Sequence, residues 1–168
     1  MRKQNGAKAL NRYGNAGLGS SAPLVVLHID DDSNDTVLLQ AAARKAGSSF
    51  TLFNVSDGEH AMAYLSGAEP YADRTLYPLP ALILLDLKMP RLSGFEILKW
   101  IRDQPHLGKT PVLVLSGSQM QEDMRQAYDR GANSYFIKPL GFDSLVGLIQ
   151  QIDTAWLASS NPGTNTNH

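Results

Sequence analysis

The chain predicts an α/β fold: a doubly wound, five-stranded parallel sheet with helices on both faces. Three observations carry that prediction. Five short apolar runs alternate with five amphipathic segments between residues 23 and 157. The runs are nearly continuous in hydrophobicity, as strands covered on both sides are. The first, third, fourth and fifth run into Asp30, Asp86, Ser116 and Lys138, the polar punctuation expected at the carboxyl edge of such a sheet.

Leu24 to Ile29 is the first run, and it stops at Asp30-Asp31-Asp32. Ser33, Asn34 or Asp35 is expected to cap the helix that follows, whose Val37, Leu38, Ala41, Ala42 and Ala46 precede a terminating Gly47. Asp32 is a further cap candidate, favoured over a place beside the other two acids. Phe50 to Val55 is the second strand, and Asp57 to Leu65 a short helix. Ser66 to Pro80 is a loop holding three prolines. Ala81 to Leu85, the most hydrophobic run, is the central strand and leads straight into Asp86. Ser93-Gly94 opens a helix carrying Phe95, Ile97, Leu98 and Ile101, and Gly108 and Pro111 close the connection. Val112 to Leu115 runs into Ser116, Gln119 to Arg130 is a polar amphipathic helix, and Ser134 to Ile137 leads into Lys138-Pro139. The last helix sets Leu145, Leu148, Ile149, Ile152 and Trp156 on one face at helical spacing.

With 168 residues, 43% of them hydrophobic, the chain has the size and composition of one globular domain with some surplus. Residues 1–22 and 158–168, rich in small and polar residues without apolar periodicity, predict a flexible leader and a flexible tail around a domain at 23–157. The absence of Cys excludes disulfide frameworks, thiolate metal sites and cysteine nucleophiles. A net charge of −1 gives no field for polyanions, which argues against direct nucleic-acid binding. No stretch approaches a membrane span or a secretory signal, so a cytoplasmic protein without membrane contact is expected. Four basic residues and no acid fall in the leader, too sparse a charge to predict a partner.

In such sheets ligands gather at the carboxyl ends of strands, near the switch in strand order. The order 2-1-3-4-5 would make strands one and three neighbours there, so that Asp30, Asp31 and Asp86 meet. Three carboxylates in one cleft repel each other, and a hard divalent cation, Mg²⁺ or Mn²⁺, is the natural remedy where no His or Cys joins the cluster. Lys138 would add an ammonium and Ser116 a hydroxyl. Metal, ammonium and hydroxyl around one carboxylate suit the oxygens of a phosphoryl group in transfer, with Asp86 as candidate nucleophile. Taken singly, each residue has a plain structural reading: acids as helix caps, Lys138 as a surface lysine, Ser116-Gly117-Ser118 as a turn. Their placement at successive strand ends favours the functional one.

Ile29-Asp30-Asp31, Asp86-Leu87-Lys88-Met89-Pro90 with Gly94, Leu115-Ser116-Gly117 and Tyr135-Phe136-Ile137-Lys138-Pro139 together resemble the signature of two-component response-regulator receiver domains, over about Pro23 to Leu157. The resemblance implies a flavodoxin-like receiver fold and a phosphoacceptor, Asp86, charged from a phosphohistidine on a sensor histidine kinase. It implies Mg²⁺ (or Mn²⁺) held directly by Asp31, Asp86 and the backbone carbonyl of Lys88, and by Asp30 through water. Lys138 and the Ser116 hydroxyl would contact phosphoryl oxygens, and Tyr135 occupies the aromatic switch position. Turnover of a separate substrate is not expected. The face of the fourth helix, fifth strand and fifth helix is where a partner, or a second copy in a homodimer, would bind.

The long loop through Tyr71-Ala72-Asp73-Arg74 and Tyr77-Pro78-Leu79-Pro80, with Gly131 to Tyr135 and Ala155-Trp156-Leu157, resembles a subgroup of stand-alone receivers, some of which serve bacterial phytochrome-type kinases. The eleven residues after Leu157 are too few for a DNA-binding module, so output is expected through an unidentified downstream protein, by contact or phosphorelay. Lys88, a large cation two residues past the phosphoacceptor, is expected to alter the acyl-phosphate lifetime. Rival readings are a haloacid-dehalogenase-like phosphatase, which has a second Asp where Lys88 stands, a flavin carrier, whose phosphate the acids would repel, and an unphosphorylated scaffold receiver. Gly108-Lys109-Thr110 resembles the end of a Walker A loop but lies in the wrong helix-to-strand context. His28 is expected packed in its strand, His60 and His106 on the surface, and Trp156 in the core or on a dimer face.

Overall fold

A computed structural model describes residues 22–158. The expected leader and tail fall almost wholly outside the described residues. Those described form β1 (Val25–Ile29), α1 (Ser33–Ala46), β2 (Thr51–Val55), α2 (Gly58–Ser66), β3 (Leu82–Leu85), α3 (Gly94–Asp103), β4 (Val112–Ser116), α4 (Gln121–Asp129), β5 (Ser134–Ile137) and α5 (Phe142–Ile152). The strands make one sheet in the order β2-β1-β3-β4-β5, every pair parallel, as expected. No helix among the described residues is long and apolar enough to cross a membrane.

Alternation along each strand divides the interior into two cores. Leu27, Ile29, Ile83, Leu85 and Val114 pack on one face with Ala61, Leu65, Ile97, Leu98, Ile101 and Ala127 of α2, α3 and α4. Val26, Leu82, Leu84, Leu113 and Leu115 pack on the other with Leu39, Ala42, Leu148, Ile149 and Ile152 of α1 and α5. Since β1, β3 and β4 are buried along their whole length, their polar ends are the first positions at which a side chain can leave the sheet.

Three expectations need correction. The cap of α1 is Asp32, as favoured for that residue, which corrects only the alternatives Ser33, Asn34 and Asp35: its extended backbone brings Oδ1 onto the N–H groups of Asn34 (2.8 Å) and Asp35 (3.4 Å), so Ser33 already opens the helix. The helix expected from Gln119 begins at Gln121, because the Ser118 hydroxyl accepts the Met120 N–H (3.3 Å) and holds the preceding residues in a turn. The last helix widens after Ile152 into a π-turn, Asp153–Leu157, which still brings Trp156 against the α1/α5 core. The Ser66 to Pro80 segment is an ordered loop. Arg74 donates to the carbonyls of Tyr64 (2.7 Å), Tyr77 (3.1 Å) and Leu65 (3.1 Å), while Tyr71 and Tyr77 pack against the Tyr64 ring.

Candidate functional site

Parallel register brings Ile29 beside Leu85, so the residues that follow them emerge together at the carboxyl edge of β1 and β3. One carboxylate oxygen from each of Asp30, Asp31 and Asp86 lies within 4.8 Å of the others. Asp30 and Asp86 are buried and Asp31 faces solvent. The first turn of α3 presses on this edge: a side chain on Gly94 would come within 2.2 Å of the Asp86 carbonyl, so only glycine lets the helix start there. Ser93 and Glu96 close a capping box at that helix end.

Lys138, just past β5, reaches across the edge. Its Nζ donates to Asp35 Oδ2 (2.7 Å) and Asp30 Oδ2 (2.9 Å), and stands 3.6 Å from Asp86 Oδ2. Burial pulls its pKa down, but the hydrogen bonds to Asp35 and Asp30 overcome that and raise it, so the ammonium is fixed. The two buried acids are driven apart. Burial, reinforced by the Asp30 charge and only partly offset by Lys138, pushes Asp86 up to about 6. Burial also acts upward on Asp30, yet the contacts with His28, Lys138 and the Asp32 N–H outweigh it and hold the group at about 2. Asp86 therefore carries the carboxylate charge the site satisfies least.

That imbalance tests whether a divalent cation belongs here. All three converging donors are carboxylate oxygens, the choice of Mg²⁺ and Mn²⁺ rather than of softer metals, and Asp31 leaves a solvent approach. The residues fit such an ion.

On the other flank, Ser116 ends β4 fully buried, its Oγ accepting the Ser118 N–H (3.2 Å). The Ser118 hydroxyl donates to Asp123 Oδ2 (2.5 Å), which also receives Lys88 Nζ (3.2 Å). Tyr135, half-buried on β5, donates its hydroxyl to the Ser118 carbonyl (2.9 Å). The side chain of Lys88 is thus engaged with α4, and Tyr135 is tied to the loop after Ser116.

Of the residues singled out from the sequence, Asp30, Asp31, Asp86 and Lys138 come together directly. Ser116, Lys88 and Tyr135 join through the β4–α4 loop. Sequence reasoning missed Asp35 as a partner of Lys138, Asp123 as the acceptor for Lys88, and the pairing of His28 with Asn54. Asp35 offered one signal, an acid in a first helical turn, which helix electrostatics alone explains.

The model of the response regulator receiver domain matches residues 26–150. The response regulator Rcp1 of Synechocystis sp. is 33% identical over 138 residues, covering 82% of this chain and 92% of the relative. A crystal structure of the phosphorylated cyanobacterial phytochrome response regulator RcpA is 32% identical and covers 85% of this chain and 100% of its own, with a TM-score of 0.76. The Mn²⁺-bound form of response regulator Rcp1 is 31% identical over 87% of this chain and 100% of its own, with a TM-score of 0.71. An acid cluster at the switch of a 2-1-3-4-5 sheet, inside a match that runs from β1 into α5, sets aside the phosphatase and flavin-carrier readings: the chain belongs to the response regulator receiver domain family, phosphoacceptor modules rather than enzymes acting on a separate substrate.

Proposed function

We propose that the domain at residues 23–157 accepts a phosphoryl group on Asp86 from a phosphohistidine of a phytochrome-type sensor histidine kinase, and relays the signal by protein contact or onward phosphotransfer. The observation that carries this is the convergence of Asp30, Asp31 and Asp86 within 4.8 Å, with an ammonium 3.6 Å from Asp86. Likeness to RcpA, a phytochrome response regulator, supports the kinase class.

An Asp86 carboxylate oxygen attacks phosphorus, the P–N bond to the donor imidazole breaks, and its electron pair stays on that nitrogen, which takes up a proton. Asp31, Asp86 and the Lys88 backbone carbonyl, with Asp30 through water, would hold Mg²⁺ or Mn²⁺, which when bound neutralises charge on the transferring oxygens. Lys138 leaves Asp35 to donate to a phosphoryl oxygen, a movement of a flexible stem over a short distance. Ser116 gives up the Ser118 N–H and donates its hydroxyl to another oxygen. That shift disturbs the loop whose Ser118 carbonyl anchors Tyr135, and so couples Asp86 to the face of α4, β5 and α5. Tyr128 and Ile137 expose apolar surface on that face, which supports its use as a homodimer or partner surface.

Intact mass after incubation with acetyl phosphate and Mg²⁺ tests the reading. One metal-dependent phosphoryl adduct is expected on the wild type and none on Asp86→Asn. No adduct on either, including from a kinase, would favour a scaffold. Gel filtration with and without the phosphodonor tests the dimer; an unchanged elution volume would remove it.

A further inference from the structure

Four polar or charged side chains are buried among the described residues: His28, Asp30, Asp86 and Ser116. Three have a place in the reaction above, and His28 has none. It occupies the β1 position between Val26 and Asp30, on the sheet face that packs against α1 and α5, where an aliphatic side chain would extend the core. A polar ring there is destabilising unless its nitrogens are satisfied.

They are satisfied in a directed way. Asn54 lies opposite His28 in the β1–β2 register. Its Nδ2 is 3.1 Å from the His28 carbonyl oxygen and 3.3 Å from the ring Nδ1. A carbonyl only accepts, so the amide must present its NH₂ on that side, and Nδ1 then faces a donor and must itself accept. The ring proton is left on Nε2, which faces Asp30 Oδ2 at 3.5 Å. The other Asp30 oxygen accepts the Asp32 N–H at 2.9 Å. A chain of polarity thus runs Asn54 to His28 to Asp30, two of its members on rigid strands. Lys138, the other partner of Asp30 Oδ2, sits on a flexible stem and is shared with Asp35 and Asp86, whereas the imidazole is fixed by its strand.

We infer that His28, with its tautomer set by Asn54, is a positioning residue that holds the Asp30 carboxylate in the orientation divalent-cation binding requires. The inference rests on the metal reading of Asp30 given above. Groups that orient a ligand from behind commonly change metal affinity by about 10- to 100-fold when removed.

The test uses the unphosphorylated protein, with Mn²⁺ binding followed by electron paramagnetic resonance of the free ion and the His28 ring followed by ¹⁵N NMR. The wild type is expected to bind one Mn²⁺ and to show a ring protonated on Nε2. Asn54→Leu, on the edge strand and similar in shape, should lose the fixed tautomer and weaken Mn²⁺ binding about tenfold. His28→Phe should weaken it as much. His28→Gln, whose amide donates from near the Nε2 position, should recover most of the affinity. Equal affinity in wild type and Asn54→Leu, or a wild-type ring protonated on Nδ1, would overturn the inference alone. A wild type that binds no Mn²⁺ would overturn the metal reading beneath it as well, so the two failures are distinct.

Discussion

The two edges of the same sheet are built on opposite principles. At the amino edge of β4 and β5, one guanidinium closes the structure: Arg102, from the end of α3, donates to the carbonyls of Gly131 (2.7 and 2.9 Å) and Thr110 (2.9 Å) and to Asn133 Oδ1 (2.8 Å). The same Asn133 oxygen accepts the Val112 N–H that opens β4, at 2.9 Å. One cation meets many neutral acceptors, and each group is satisfied within the fold. At the carboxyl edge Asp30, Asp35 and Asp86 share one ammonium, and Asp86 keeps a pKa pushed up to about 6 by burial and by its acidic neighbour. The amino edge spends its polarity on stability. The carboxyl edge leaves charge unbalanced, which is what lets it take up a cation and a phosphoryl group.

Removing Arg102 and neutralising Asp86 should therefore have opposite signs, and the larger effect belongs to the amino edge. Arg102→Met orphans carbonyls of the α3–β4 and α4–β5 connections. Losses of several part-buried, charge-assisted hydrogen bonds of this kind sum to roughly 3 kcal/mol. Thermal unfolding should show a melting temperature lower by about 10 °C for a chain of this size. A shift under about 2 °C would mean that water replaces the guanidinium without penalty, and the contrast between the edges would fail.

At the carboxyl edge the neutral isostere Asp86→Asn should stabilise the metal-free protein at pH 8, by about 1–3 kcal/mol. The sign follows from linkage. The folded pKa of Asp86 lies above its unfolded value of 3.8, so the native state holds the proton more tightly. The destabilisation is absent below the unfolded value and complete above about 6. The advantage of Asp86→Asn should shrink as pH falls through that window. Asp30 runs the other way: held at about 2, it stabilises above 3.8 and loses that contribution as pH falls toward 2. Denaturant melts in a chelator, across pH 4 to 8 for Asp86 and from pH 4 down to 2 for Asp30, would check both, and a constant difference between wild type and Asp86→Asn would refute the raised pKa. Adding Mg²⁺ at ten times its dissociation constant should return roughly 1.4 kcal/mol to the wild type and little to the variant.

The parts of this comparison that the sequence announces are those set by local chemistry and by alternation. Unbroken hydrophobicity in Leu82–Leu85 dictates a strand buried on both faces, and the parallel order then places Asp30, Asp31, Asp86 and Lys138 on one edge. Pairings that depend on where long side chains turn are silent in the sequence. Arg102 and Gly131 are 29 residues apart, and Lys138 and Asp35 are 103 apart. No periodicity or cap preference relates them. Asp35 was obscured for a further reason: any of four polar residues after β1 is chemically able to cap α1, and only the backbone turn at Asp32 decides which one does. That decision frees Asp35 to face Lys138.

The smallest stability effect should come from Lys88, which belongs to neither principle. Its ammonium is 3.2 Å from Asp123 Oδ2, but the side chain is 63% exposed, so Lys88→Asn should change stability by no more than about 0.5 kcal/mol. Its consequence should be kinetic. Asp123 holds the lysine toward α4 while also accepting the Ser118 hydroxyl, so the cation, two residues past Asp86 in the chain, is tied to the loop that Ser116 must disturb. Removing it should change the decay rate of phosphorylated Asp86 severalfold, measured as loss of the phosphoryl adduct after the phosphodonor is removed. Equal decay in wild type and Lys88→Asn would show that the ion pair with Asp123 ties down an inert surface lysine, and that the carboxyl edge controls phosphoryl lifetime through its buried groups alone.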